Sequence, residues 1–344
     1  MRQTFSAELV NEPFGDPGLY VDFMFEPRAL LFDLGNLAAL PNKKLLRISD
    51  VFVTHTHMDH FFGFDRLLRV CLGRETHLRL YGPPAFTAQV EHKLAAYTWN
   101  LVDNYPGDFT IEVWELAADW QARGTRLRCH TRFQAEALGT HQLHDGVLRD
   151  EAAFRVRAAF LDHGTACLGF AVEEKVHVNV WKNRLAELGL AVGPWLKELK
   201  DLVTRGAPDE TLVRARLLGA DDGAGRVIPL GTLKAQVLEQ VPGEKICYVT
   251  DVAYHRDNAQ RIVALAAGAT QLFIECAFLE QDADHAARKL HLTARQAGRL
   301  AGAAGARFVI PFHFSSRYAG REAELREEVE TARRMPPATP DAAA

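Results

Sequence analysis

The chain has 344 residues, 48% of them hydrophobic and 24% charged, with a formal net charge of -4. That length allows one to three domains and a large core, while the charge balance excludes an overall basic surface of the kind that dedicated nucleic-acid binders often show, leaving only local patches. With no charged-then-apolar leader and no run of about 18 apolar residues, neither secretion nor a membrane span is expected, and the cytoplasm is the expected compartment.

Taken in chain order, the first segments alternate apolar and polar residues. Leu19 to Phe25 and Ala29 to Phe32 read as strands joined by the turns Gly15-Asp16-Pro17-Gly18 and Glu26-Pro27, so a meander opens the chain. Val51-Phe52-Val53 is a short buried strand. Arg66 to Leu72 reads as helix, His77 to Tyr81 as strand, and Pro84 to Tyr97 as a helix with proline at its start. Strand-like runs recur at Phe109 to Trp114, Thr125 to Thr131 and Phe154 to Leu161, with an extra hairpin or loop over Gln134 to Glu151. In the last third, strands Ile246 to Val249, Leu272 to Ile274 and Phe308 to Ile310 end at Thr250-Asp251, Glu275 and Pro311-Phe312-His313, with helices at Arg256 to Ala267 and Thr293 to Ala304. Polar residues at the carboxyl ends of buried strands are where open α/β sheets place their chemistry. Five cysteines, widely spaced and without C-x-x-C, argue against a disulfide framework or a cysteine zinc site. Cys247 and Cys276 lie in apolar surroundings and read as small core residues.

The densest chemical signal is DVFVTHTHMDHFFGFD, residues 50 to 65, which sets His55, His57, Asp59 and His60 directly behind a strand. Side chains two apart in extended chain share a face, so His55 and His57 can approach one cation, while Asp59 and His60, after a bend, can face a second. Imidazole with carboxylate suits zinc, with manganese or iron as alternatives, and an open coordination position makes such a site catalytic.

These residues resemble the H-x-H-x-D-H signature of the metallo-β-lactamase fold, and HTHMDH looks most like its ribonuclease Z branch. The likeness continues in Leu31-Phe32-Asp33-Leu34-Gly35, Tyr81-Gly82-Pro83-Pro84, Leu161-Asp162-His163-Gly164, Thr250-Asp251, Ile274-Glu275, His291-Leu292-Thr293 and His313-Phe314-Ser315-Ser316-Arg317-Tyr318, so it runs from about residue 29 to 318. It implies an α/β fold of αββα sandwich type over 1–335, with an arm-like insert at about 173–243; separately, the Pro- and Ala-rich end at 336–344 has nothing to pack and reads as a disordered tail. It also implies two divalent ions, the first held by His55, His57, His163 and Asp251, the second by Asp59, His60, His313 and a bridging Asp251. A hydroxide between the ions would attack a phosphodiester at the 3′ side of precursor tRNA. Asp59 would orient it, and His291, set by Glu275, would donate a proton to the leaving group. Ser315 and Arg317 are candidate phosphate contacts, although Arg317 can equally pair with a carboxylate, and Thr293 can cap a helix as readily as touch substrate. His130, His141, His144, His177, His255 and His285 have no comparable setting and read as surface or core residues.

In relatives an arm with a Gly-Pro step grips tRNA, and Lys175 to Lys200, with Gly193-Pro194, looks like a version of it. Residues 173 to 205 carry six Lys or Arg against five Asp or Glu, a weak basis for phosphate contact, so a helical insert packing against a dimer partner stands beside the RNA reading. The family often dimerises. The chain departs from the family where a Gly-Thr-rich loop followed by proline and arginine is usual, and Asn11-Glu12-Pro13-Phe14-Gly15 stands instead. That leaves two other readings: a hydrolase of the same fold acting on a small or cyclic phosphodiester, a sulfate ester or a lactone, and a metal-stabilised binding protein without catalysis.

Overall fold

A computed structural model of the chain describes residues 4–219 and 225–335; the expected tail, 336–344, lies outside the described residues. The fold divides into two compact units. The larger comprises Phe5–Leu148, Val156–Val172 and the chain from Lys245 onward; the smaller comprises Thr4, Arg149–Arg155 and Glu173–Glu244.

Eight strands run in sequence order across the first sheet of the larger unit: β1 (Phe5–Leu9), β2 (Leu19–Phe23), β3 (Ala29–Phe32), β4 (Ile48–Phe52), β5 (His77–Gly82), β6 (Thr110–Leu116), β7 (Gln121–Arg128) and β8 (Ala135–Gln142). The pairs from β3 to β6 are parallel, and those flanking them are antiparallel. The second sheet contains β9 (Val147–Asp150), β10 (Phe154–Asp162), β11 (Ala166–Glu174), β16 (Lys245–Val249), β17 (Gln271–Glu275) and β18 (Phe308–Phe312), ordered β18-β17-β16-β11-β10-β9.

Strand alternation gives the first sheet two apolar faces. Leu31, Val51, Leu80 and Val113 point into a core shared with Phe64, Leu67, Leu68, Phe86, Val90 and Leu94 of the helices Phe64–Cys71 and Phe86–Ala95. Their neighbours Phe32, Phe52 and Tyr81 turn to the opposite face and stack in a row, with centroids 5.1 and 4.9 Å apart. Phe170 of β11 meets Phe32 and Phe52 at 5.6 Å each, and Tyr248 of β16 meets Phe32 at 6.0 Å, so the two sheets lie face to face through these rings. The second sheet's other face packs on Ile262, Leu265, Ala297, Leu300, Leu325 and Val329 of the helices Arg256–Ala266, Ala294–Ala303 and Glu322–Arg333. Helix, sheet, sheet, helix is the resulting αββα order.

The smaller unit holds β12 (His177–Val180) paired with β15 (Leu238–Val241), β13 (Leu212–Arg216) paired with β14 (Gly225–Pro229), and helices Lys182–Glu187, Trp195–Thr204 and Leu230–Val237. Its own core includes Val178, Leu185, Leu199, Val213, Leu230 and Leu233. It is thus a mixed unit, where only helix was read from sequence. In it the buried Glu174 carboxylate accepts from Thr4 Oγ1 at 2.6 Å, from the Glu244 amide at 3.1 Å and from His177 Nδ1 at 3.0 Å, tying three chain segments together.

One expectation needs correction: Gln134 to Glu151 is not a hairpin but forms β8 on one sheet and β9 on the other, so it carries the chain between sheets. Ala166 to Glu174, for which no element is expected from sequence, is β11 and lies inside the second sheet. All five cysteines are buried. Among the described residues no helix is long and apolar enough to cross a membrane.

Candidate metal centre

The polar residues at the strand ends converge. Asp33 follows β3, Thr54 and His55 lie just beyond β4, His163 follows β10, Asp251 lies two residues beyond β16, Glu275 closes β17 and His313 follows β18. Asp33, Asp251 and His313 take left-handed backbone with φ of 58°, 48° and 59°. That conformation costs roughly 1–2 kcal/mol in a residue with a Cβ, and strain of this kind concentrates at functional sites.

Two ligand groups result. His55, His57, His163 and Asp251 form one and Asp59, His60, Asp251 and His313 the other, each with its donor atoms within 4.8 Å of one another. Asp251 belongs to both. Its Oδ2 stands 3.7 Å from His55 Nε2, 3.4 Å from His163 Nε2 and 3.3 Å from His60 Nε2, while Oδ1 stands 2.9 Å from His313 Nδ1. Asp59 Oδ2 is 3.6 Å from His60 Nε2 and 3.5 Å from His313 Nε2. The structure therefore brings together all seven residues that the sequence marked as metal candidates.

The donor set fits divalent cations. His55 Nε2, His60 Nε2 and His313 Nδ1 are buried and make no hydrogen bond, although each faces Asp251. A buried polar atom without a hydrogen bond is costly unless something else satisfies it. Burial, assisted by the neighbouring His60, pushes His55 down to about 2, so it presents a neutral lone pair. Burial opposes charge on His60 too, but Asp251 and Asp33 outweigh it and hold that imidazole up at about 10. The same contest, won chiefly by Asp251, raises His313 well above the ordinary range. Asp59, with burial working against it and His313 and His60 for it, falls to about 2. A pocket that holds its carboxylates ionised and draws protons onto two imidazoles favours positive charge.

Four residues with no role in the sequence reading, Asp33, Thr54, Tyr248 and Leu290, support this group. Asp33 Oδ1 accepts from the Thr54 amide at 2.7 Å, and its Oδ2 accepts from Thr54 Oγ1 at 3.0 Å, His60 Nδ1 at 2.9 Å and Tyr248 OH at 3.0 Å. With its proton given to Asp33, the Thr54 hydroxyl can accept from His55 Nδ1, 3.0 Å away. Such partners fix the tautomer and aim of a ligand's other nitrogen. Asp33 did stand in the quoted Leu31–Gly35 stretch, but nothing in that stretch signals its reach to His60. Likewise His163 Nδ1 donates to the Leu290 carbonyl at 2.9 Å.

Beside these groups lies a third that shares Asp251 and His313 and adds Glu275 and His291. His291 Nδ1 is 2.8 Å from Glu275 Oε2, and Glu275 Oε1 accepts from the Val252 amide at 2.7 Å. Thr293 caps the helix Ala294–Ala303 in a reciprocal box with Gln296, which is the capping reading of that residue. Ser315 is half-buried, with its amide on the Ala277 carbonyl. Arg317 is exposed, pairs with Asp282 at 3.2 Å and lies 5.8 Å over the Phe278 ring, which in turn is 6.2 Å from the His291 ring. Of the histidines left without a role, His177 is the buried partner of Glu174, and His255 caps the helix Arg256–Ala266.

The short helix Met58–Phe61 is held against the Asp33 loop by close backbone approach. Gly63 donates to the Leu34 carbonyl at 2.6 Å and Leu34 to the His60 carbonyl at 2.8 Å. A Cβ on Gly63 would lie 2.1 Å from the Gly35 carbonyl oxygen. Gly63→Ala is therefore expected to cost about 1–3 kcal/mol, the usual range for overpacking, in denaturant unfolding of chelator-treated protein. Unchanged stability would mean that this contact does not hold the helix.

Two facing sheets wrapped by helices, with histidine and aspartate groups collected at their strand ends, make the αββα architecture of the metallo-β-lactamase fold with a candidate metal centre. No protein-family model matches the chain. Among curated proteins it is 32% identical over 338 residues to the ribonuclease Z of Deinococcus radiodurans, covering 97% of this chain and 96% of that one. It is 29% identical over 300 residues to the ribonuclease Z of Crocosphaera subtropica, covering 86% and 78%. The chain belongs to the ribonuclease Z family. Solved structures agree on the fold: a metallo-β-lactamase fold protein of Bacillus subtilis superposes with a TM-score of 0.52 at 16% identity, covering 95% of this chain and 92% of that one. The short form of human tRNase Z superposes at 0.51 with 19% identity, covering 92% and 93%.

Proposed function

We propose that the chain cuts precursor tRNA at its 3′ side as a two-metal phosphodiesterase, and the observation that carries this is the sharing of Asp251 between two four-residue groups with the Glu275–His291 pair alongside. His55, His57, His163 and Asp251 hold one ion, and Asp59, His60, His313 and Asp251 the other. Zinc best suits this mix of imidazole and carboxylate, with manganese or iron the alternatives that elemental analysis would reveal. When bound, a divalent pair supplies acidity to water and neutralises charge on a phosphodiester.

The chain's own groups supply the rest. Asp59, ionised and half-exposed, accepts a hydrogen bond from the attacking water and sets its direction. His291 gives Nδ1 to Glu275, which leaves Nε2 to protonate the departing oxygen as the P–O bond breaks. Burial works to depress the His291 pKa, but the charge and hydrogen bond of Glu275 overcome it and raise it, which favours the form that can donate. Ser315 and Arg317 steady the phosphate. The unit of Glu173–Glu244 acts as an arm inserted into a single catalytic domain, in a cytoplasmic homodimer whose existence sedimentation would test.

Incubation of metal-loaded protein with a precursor tRNA bearing a 3′ trailer is expected to release trailer and mature-length tRNA, with no product from His57→Ala. The near balance of charge in residues 173 to 205 favours a second reading, hydrolysis of a small phosphodiester. Turnover of bis(p-nitrophenyl) phosphate by protein that neither binds nor cuts RNA would replace the first reading with the second.

A further inference from the structure

The site opens on one side. His55, His60, Asp251 and Glu275 are buried and form its floor, whereas His57 is exposed, Asp59 keeps 42% of its side chain accessible, and His291 and His313 are partly open. These last residues are the solvent-accessible members of the group. The helix that carries Asp59 also carries Met58, 77% exposed, and at its end Phe62, 51% exposed. The Phe62 amide donates to the Met58 carbonyl at 2.8 Å, so the two are one helical turn apart. At about 100° per residue, Met58 and Phe62 form one stripe lying between Phe61, which enters the core beside Phe64 and Phe86, and Asp59, which faces the centre. Single exposed apolar side chains are ordinary. Here two large ones share one turn of the helix that carries Asp59 and stand on the side of that turn next to it.

We infer that Met58 and Phe62 form a shelf on which the unpaired base next to the scissile phosphodiester stacks, a reading that rests on RNA being the substrate. Unpaired RNA bases are recognised by stacking on aromatic side chains, and a thioether packs well against a ring. A base seated there places its own phosphate toward Asp59, so the shelf is a positioning and specificity element that hydrogen-bonding groups of the centre cannot supply. It accepts any base, since every base has a π face.

The test compares RNA substrates carrying either a normal or an abasic nucleotide on each side of the cleavage point in turn. For wild-type protein, removing the stacked base should lower kcat/KM by about 5- to 150-fold, the range that loss of one base–aromatic stack produces. Phe62→Ala should lose a similar factor on the normal RNA and nothing further on the abasic one, while Phe62→Trp keeps the wild-type preference. In metal-stripped protein, 2-aminopurine at the same nucleotide should be quenched on binding to wild type and not to Phe62→Ala. Equal losses on normal and abasic RNA overturn the shelf alone. So does a change in sedimentation of Met58→Ala and Phe62→Ala without altered base sensitivity, which would make the pair a contact with a second copy. If wild-type protein cuts no RNA, both the shelf and the reading beneath it fall.

Discussion

Replacing Asp251 by alanine is expected to have the largest effect of any single change, a loss of hydrolysis exceeding about 10³-fold, since losing only a supporting partner of a metal ligand already costs roughly 10–100-fold. The carboxylate lies within 3.7 Å of His55 Nε2, 3.4 Å of His163 Nε2 and 3.3 Å of His60 Nε2, and it is the one residue common to both proposed ligand groups. Two divalent ions about 3.5 to 4 Å apart repel strongly unless an anion lies between them. Without that anion, tight occupancy should fall from two ions per chain to at most one, read by elemental analysis after buffer exchange. Asp251→Asn keeps the shape and removes the charge, so it should resemble the alanine variant. A variant that still holds two ions with unchanged affinity would show that Asp251 does not join them.

His291→Ala is expected to lower kcat on RNA by about 10²–10⁴-fold, the usual contribution of a positioned general acid, while affecting a p-nitrophenyl ester far less. The contrast follows from the leaving groups, since a ribose oxygen needs a proton to depart and p-nitrophenolate leaves as an anion. The pH dependence has a defined sign. Burial lowers His291 and the Glu275 charge raises it further than burial lowers it, so the acid form persists above the ordinary histidine range and activity falls on the alkaline side as the proton is lost. Glu275→Gln removes that charge and should move the alkaline limb to lower pH. Equal losses on both substrates, or an alkaline limb that does not move, would leave His291 with a structural part only.

Periodicity and spacing carried much of the architecture. Val51 to Val53, Ile246 to Val249, Leu272 to Ile274 and Phe308 to Ile310 are short apolar runs that end in a polar residue, and that pattern is local enough to be legible one segment at a time. It marked His55, Asp251, Glu275 and His313 as strand-end residues before any contact was known. Local pattern failed where burial is decided on both faces. β11, between β10 and β16 in the second sheet, has no counterpart among the elements expected from sequence, and the helix-like insert holds two strand pairs whose partners lie about 60 and 13 residues apart.

By itself the sequence determined which residue types stand beyond which strands, because strand and helix periods and the H-x-H-x-D-H spacing are properties of neighbouring residues. Only the tertiary structure decided that Asp33 holds His60, that Thr54 sits between Asp33 and His55, that Leu290 aims His163, and that Met58 and Phe62 stay exposed beside Asp59. The pairs Asp33–Thr54, Asp33–His60 and His163–Leu290 join residues 21, 27 and 127 positions apart. The physical reason is that hydrogen bonds and solvent exposure depend on distances across packed sheets, which arise only once the aromatic rows of Phe32, Phe52, Phe170 and Tyr248 bring the strand ends together.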